Sequence, residues 1–474
     1  MFKTLRRYQK PIFLTVGILA ILGYIGIKTP AVRDPAAKFL DVQTAELAKK
    51  ISPENAKEIH DLLIHPGDWF GAGWESLMLA SWNPWKWKGD GLHDNYFKLQ
   101  KSKDPADQQK LAQIHKFADE WFQRILERHP EMAVTYKDVP AEQNGFLKLF
   151  DLFDRFDGQE NPYKIPQELS DYFSNPERWN AEAAKTYLAQ NRALVDEIRS
   201  IGLLPEQSVK GLDPLRLGFF SVNLARRSSN ILEMEARLAA ERGDQAAALQ
   251  SMLAVQGLAN HFDQIETPSL LHATVGIFVR LTAQDFLFSQ ILPALPPESR
   301  DIAAWEKAMN FTPQPPAYLG KLTKGEWHAA LQSLALPIFS APEDRYTPPD
   351  PDAFVDAYTS YFQRRIDTLQ STHLKDLALP VPDISVETLG LSRNSRKLAN
   401  LMIVGIDEWG KGCTRAAHQT AMSQAAFAIM KGQPVPNDPV YGLPYRWDPT
   451  TRQLTAPSHA ALDQLSIKPI TLPK

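Results

Sequence analysis

Residues Pro11 to Ile27 read PIFLTVGILAILGYIGI, seventeen in a row without a charged side chain. A helix of that length is at the short end of what spans the hydrocarbon core of a bilayer. Lys3, Arg6, Arg7 and Lys10 precede it with no acid among them. A basic flank stays on the cytoplasmic side, so an anchor here leaves the N-terminus inside and sends the rest of the chain out. Tyr8 and Tyr24 fall near the two ends, where amphipathic rings settle at the interface. A cleaved leader needs small residues around its cleavage site. The best match, Thr29-Pro30-Ala31, places threonine at −3 and a proline inside the site. The expectation is a cytoplasmic tip over 1–10, an uncleaved transmembrane anchor over 11–27 and a linker over 28–40.

The basic tip changes the meaning of the charge balance. The chain carries −3 overall, so the part beyond the anchor is more acidic than the total shows, and no basic field points to nucleic acid. The one cysteine, Cys413, excludes an intramolecular disulfide and any cysteine-built zinc or iron–sulfur site within the chain. No cofactor is implied. Proline is high (36) and glycine low (24) in 474 residues, the balance of helices broken by proline-rich connectors.

Helical periodicity dominates from residue 41. Leu111, Ile114, Ala118, Trp121, Phe122 and Ile125 line one face over 105–129. Ala184, Leu188, Leu194, Ile198 and Leu203 do so over 181–203. A long amphipathic stretch, 214–241, meets a turn at Arg242-Gly243-Asp244 and returns as a helix from Gln245 to about Phe262. Gly243 is a natural terminator and Asp244 a natural N-cap. Residues 268–292 are apolar nearly all round, which fits a buried core helix better than a second span, because Arg280 and Asp285 would be costly in lipid. Further helices are expected at 298–310, 323–338, 352–375 and 393–431. The domain reading is an N-terminal helical region over 41–210, a central helical core over 211–392 and a C-terminal unit over 393–474. The 214–292 helices could also enclose an apolar-ligand pocket.

Chemistry-bearing groups are sparse. Trp69, Trp74, Trp82, Trp85 and Trp87, with Phe70 and Tyr96 nearby, cluster in one short stretch. Tryptophan suits a packed loop region, a membrane interface or the flat face of a sugar ring. They are the candidate ligand-binding residues, and Glu75 is the candidate general acid. Gly405 to Lys411 has the spacing of a phosphate-binding loop, but Gly412 and Cys413 stand where a magnesium-binding hydroxyl is needed. Asp151, Asp154 and Asp157 are spaced by three, as on a solvated helical face, rather than alternating as a calcium loop requires. Glu233 and Glu235 lie near Arg226, Arg227 and Arg237, which fits an ionic network between packed helices better than acid–base work.

Three local resemblances bear on identity. EARLAAERGDQAAALQSMLAVQGLA, from Glu235 to Ala259, resembles one tetratricopeptide-like helix pair, without a second copy at a fixed period. Glu75-Ser76 is similar to the start of the lytic transglycosylase active-site pattern, but the Gly-Leu-Met-Gln stretch that follows in that family is absent. The C-terminal Asn437-Asp438-Pro439-Val440-Tyr441-Gly442-Leu443-Pro444-Tyr445, with Trp447 in an aromatic place, resembles the segment closing the globular domains of type II secretion major pseudopilins. Similar ends occur on membrane-anchored bacterial envelope proteins with large helical bodies. The pseudopilin N-terminal processing motif is missing, so pilus assembly does not carry over. Calcium, which pseudopilin relatives can hold near this loop, would find only Asp438 and Asp448. The resemblance implies a helix-plus-hairpin module and an envelope location.

The resulting expectation is a mostly α protein: an irregular antiparallel helical bundle or solenoid-like exported domain with a small C-terminal β-hairpin, behind one transmembrane helix. Its place would be the bacterial inner membrane, single-pass, with the bulk of the chain periplasmic. The leading function is a non-catalytic one, binding or scaffolding a protein partner in the envelope. The alternative is a glycan-binding or glycan-cleaving protein that uses the tryptophan-rich segment.

Overall fold

The computed structural model describes residues 92–156, 164–173, 175–212, 222–309, 316–340, 348–370, 406–463 and 467–473, with isolated positions at 388, 390–392, 395–396, 399 and 465. The expected anchor over 11–27, the tryptophan-rich segment and Glu75 lie outside them.

The first described helix is α1, Leu92–Lys101, followed by α2, Pro105–Arg128. Asp104 caps α2 by accepting a hydrogen bond from the Ala106 N–H at 2.8 Å. The expected stripe is the one that is buried: Ile114, Ala118, Trp121 and Ile125. In α3, Gly145–Phe156, the residues Phe146, Leu149, Phe150 and Phe153 turn inward while Asp151 and Asp154 face solvent. After the short α4, Gln167–Tyr172, the expected single helix over 181–203 is two: α5, Ala181–Gln190, and α6, Arg192–Gly202. Asn191 breaks them. Its side-chain amide and its own N–H both donate to the Tyr187 carbonyl, at 2.8 and 3.1 Å, which closes α5 at this residue.

The centre is α7, Val222–Glu241, α8, Gln245–Asp263, and α9, Leu270–Phe286. The turn between α7 and α8 has the expected form. Gly243 takes φ +73°, Asp244 N–H returns to Ala239 O at 2.9 Å, and the Asp244 carboxylate caps α8 through Ala247 N–H at 3.0 Å. Around α8 the helices come very close. A Cβ on Gly257 would overlap the Gly202 carbonyl oxygen, and one on Gly202 would overlap Ala254 O. Two glycines thus let α6 and α8 cross backbone to backbone.

α9 continues through a π-turn at Leu287–Ile291 to Ala294. The π-turn carbonyl of Gln290 is taken by the Arg237 guanidinium of α7. Leu270–Ala294 is the one described helix long and apolar enough to cross a membrane, and two thirds of its most apolar window is buried inside the body. Both of its charges have partners. Arg280 pairs with Asp263 at 2.8 Å, and Asp285 meets Lys468 at 3.0 Å on the surface. It is a core helix.

Then come α10, Ile302–Ala308, the long α11, Pro316–Ser340, α12, Pro351–Gln370, and α13, Ile406–Met430. α11 begins earlier than its periodicity suggests, because Pro316 is tolerated in a first turn that needs no donor there. α11 and α12 form a hairpin with α2 laid against α11, and α9 lies between α8 and α13. The C-terminal part is β1, Arg446–Asp448, β2, Gln453–Thr455, the short α14, Ala460–Asp463, and β3, Ile470–Thr471. The expected two-stranded hairpin is a three-stranded antiparallel sheet in the order β1-β2-β3, with Trp447 opposite Leu454 and Leu454 opposite Ile470. β3 is not legible in the sequence because two residues cannot display an alternation. Leu454, Ile470 and Leu472 join the same buried core as Phe146, Val255 and Phe427. The described elements all belong to one compact unit beginning at Leu92.

Candidate functional site

None of the site residues expected from sequence (Glu75, Trp69, Trp74, Trp82, Trp85, Trp87) falls among the described residues. Of the weaker candidates, the stretch resembling a phosphate loop is helical from Ile406 onward, so Gly410 and Gly412 sit within a helix and not in a loop. Glu233 is fully buried and accepts from Ser229 at 3.1 Å. Glu235 finds other partners than the arginines near it in sequence. It accepts from Arg192 at 3.0 Å and from Arg199, both on α6, and from Ser251 of α8 at 2.8 Å. It therefore ties three helices together. No group of three or more His, Cys, Asp and Glu side chains among the described residues is placed to hold a metal ion.

The most unusual chemistry in the body surrounds Glu326. It lies on α11 between Leu322 and Ala330 on a buried face, and none of its surface is exposed. α11 reaches the entry of α9 so closely that a Cβ on Gly325 would overlap the Pro268 carbonyl oxygen. That approach puts the Glu326 carboxyl at the first turn of α9, where Oε2 accepts from Leu270 N–H at 2.9 Å. Its other oxygen, Oε1, is buried without a hydrogen-bond partner among the described residues. Burial disfavours the charged form and pushes the carboxyl up to about 7, although the Leu270 N–H and the Arg365 charge pull the other way.

α12 supplies the rest of the cluster. Arg365 is 2% exposed and donates to the Tyr361 hydroxyl at 2.6 Å. Tyr358 is fully buried, and burial together with the nearby Glu326 raises its phenol well above its ordinary value. Trp327 donates to Thr359 at 2.9 Å. On α9, Ser269 caps the helix and lies 2.7 Å from His272 Nδ1. A serine beside a histidine invites a nucleophile reading. Burial, however, holds His272 down at about 3, which makes it a weak base, and Ser269 is already engaged as a cap. The cluster can hold a proton on a carboxyl group at neutral pH. Its burial suits it to coupling helices rather than to touching a substrate.

A second polar centre joins the C-terminal loop to α13. His418 Nδ1 lies 2.7 Å from Asp438 Oδ1, and both residues are 1% exposed. The Asp438 carboxylate also accepts from Tyr441 N–H at 2.7 Å and Val440 N–H at 3.3 Å. Burial would raise this carboxyl, but His418 and the two N–H donors outweigh it and hold it below its ordinary value. The Tyr441 ring stacks on His418 and, at 4.1 Å between centroids, on His459. Aspartate and histidine in this arrangement can orient an imidazole for proton transfer. Here the carboxylate is occupied by the loop it closes, which leaves it little capacity for calcium.

Sequence reasoning passes over Glu326. The available signal is a lone acid on the apolar face of α11. A scan against protein-family models finds no match for the chain, and searches of curated proteins and of solved structures find none either.

Proposed function

We propose that this chain is a single-pass envelope protein, anchored by residues 11–27 with its N-terminus inside, whose helical body binds or scaffolds a protein partner. The observation that carries the reading is the order of packing in the body. α7 packs on α8 and α8 on α9, while α6 also reaches α8 and α7 reaches α9. Each helix thus touches the next and the next but one, which is how stacked helical hairpins build long faces for protein ligands. The charge-free segment behind a basic tip supports the tether, and the likeness of the C-terminal segment to pseudopilin ends supports the envelope.

Photocrosslinking in membranes that contain the full chain tests the scaffold. Probes at the exposed positions Glu182 and Lys185 of α5 should give one discrete adduct, absent from probes at Lys110 on α2. Recovery of the bait alone from every position would count against it. Fractionation tests the tether, which fails if the full chain is found in the soluble fraction. The glycan-directed alternative rests on the five clustered tryptophans and Glu75. Muralytic zymography that is silent for both wild type and Glu75→Gln removes its enzymatic form.

A further inference from the structure

The Glu326 centre is placed where three elements meet. The carboxyl binds the first turn of α9 through Leu270 N–H, the α11 backbone at Gly325 rests on the Pro268 carbonyl, and α12 contributes Arg365, Tyr358 and Tyr361. The other buried titratable groups on the packed elements, among the described residues, are His272 and Arg280 on α9, Tyr318 and His328 on α11, and Tyr96 of α1, which is bonded to His115 of α2 at 2.8 Å; Arg280 is taken by Asp263 at 2.8 Å. His328 is occupied by the Met132 carbonyl at 2.8 Å, and burial holds it down at about 4. Neither it nor His272 supplies positive charge at neutral pH. Among the described residues, Arg365 is the cation that acts on Glu326, and it spends a donor on the Tyr361 hydroxyl.

The two forms of the carboxyl therefore fit this joint unequally. The neutral group keeps its bond from Leu270 N–H and brings no charge into the interior. The anion has one backbone donor on Oε2 and, among the described residues, no donor on Oε1. A buried carboxylate left so under-solvated raises the energy of the closed state. Parting α11 from α9 would return it to water, where it ionises freely.

We propose that Glu326 is a proton-operated latch: the neutral carboxyl holds the α11–α12 hairpin against the entry of α9, and loss of its proton to solvent loosens that joint. The carboxyl is raised in the folded state from its ordinary 4.5 to about 7. The stability it contributes is therefore fully present below pH 4.5 and lost as pH rises through 7. The latch does not depend on the tether or on the identity of a partner.

Hydrogen–deuterium exchange on the full chain tests it between pH 5 and 8.5, corrected for intrinsic exchange rates. In wild type, peptides covering 268–276 and 323–330 should lose protection by roughly a hundredfold over that range, while peptides from α7 and α8 hold theirs. In Glu326→Gln the local loss should vanish. The latch is overturned if the wild-type peptides show no pH dependence, if α7 and α8 lose protection in the same proportion, or if Glu326→Gln keeps the wild-type slope. If the glutamine variant does not fold, the wild-type comparison between the two regions still decides.

Discussion

Arg280 and Asp263 meet inside the helical body in a two-point contact, Nη1 to Oδ2 at 2.8 Å and Nη2 to Oδ1 at 3.2 Å. Asp263 ends α8 and has no exposed surface, while Arg280 is in mid-α9 and also donates to Asn260 at 2.9 Å. Removing one member leaves the other charge buried without compensation. Asp263→Ala should cost about 3–5 kcal/mol, whereas the double change Asp263→Leu with Arg280→Met should recover most of that. Urea unfolding of the three proteins measures both. A double variant as weak as the single one would show that the pair does more than neutralise itself.

The glycine crossing of α6 and α8 makes a sharper steric case. Gly257→Ala forces a methyl group into the Gly202 carbonyl, so two helix backbones must separate. A loss of about 1–3 kcal/mol is expected. Gly412 is the control. It lies exposed within α13, and a methyl group there would meet nothing within 4 Å, so Gly412→Ala should add about 0.5–1 kcal/mol through helix propensity. Thermal melts of the two variants should move in opposite directions.

Cys413 is buried in a small cluster with Leu270, Tyr318 and Leu369. Burial, then the neighbouring Asp263 charge, raises the thiol above its ordinary value. The thiolate is the reactive species, so a thiol-specific chromogenic reagent should leave the native protein unlabelled over minutes and label one equivalent in denaturant. Prompt stoichiometric labelling in native buffer would contradict this placement.

The His418–Asp438 centre sets an acid limit. The Asp438 carboxyl is depressed in the folded state, so the stability it contributes is present above its ordinary value of 3.8 and is lost as pH falls below that value. Wild type should therefore lose melting temperature between pH 4 and 2 more steeply than Asp438→Asn, which has no such proton to take up. Parallel melting curves for the two would sink the assignment.

Much of this architecture could be read from sequence, for a definite reason. The stripe Ile114, Ala118, Trp121, Ile125 reads directly as α2, and Gly243-Asp244 as a turn, because each depends only on neighbours in the chain. The C-terminal hairpin is legible on the same ground, since Leu443, Tyr445 and Trp447 alternate before a turn at Asp448-Pro449-Thr450-Thr451. What could not be read depends on choices the local pattern leaves open, or on partners far away in sequence. Asn191 breaks a helix by choosing the Tyr187 carbonyl over solvent, and nothing in the local pattern forces that choice. Glu235 pairs with Arg192 and Arg199 rather than with the arginines of its own helix. Glu326 becomes an interior acid only because Gly325 lets α11 rest on Pro268. The tryptophan-rich candidates stay an argument from sequence.

The antiparallel contact of β3 with β2 has a bearing on how the protein is made. Leu472 and Leu454 share a core with Phe146 and Phe150, so the interior is not sealed until residues more than three hundred positions apart exist together. At synthesis rates of ~5–20 residues per second, that interval is on the order of tens of seconds. During it, the inner faces of α3 to α9 have no cover at the place the sheet will occupy. The growing chain passes through this half-closed form, so shielding by a chaperone is expected to matter for the nascent chain more than for the finished protein.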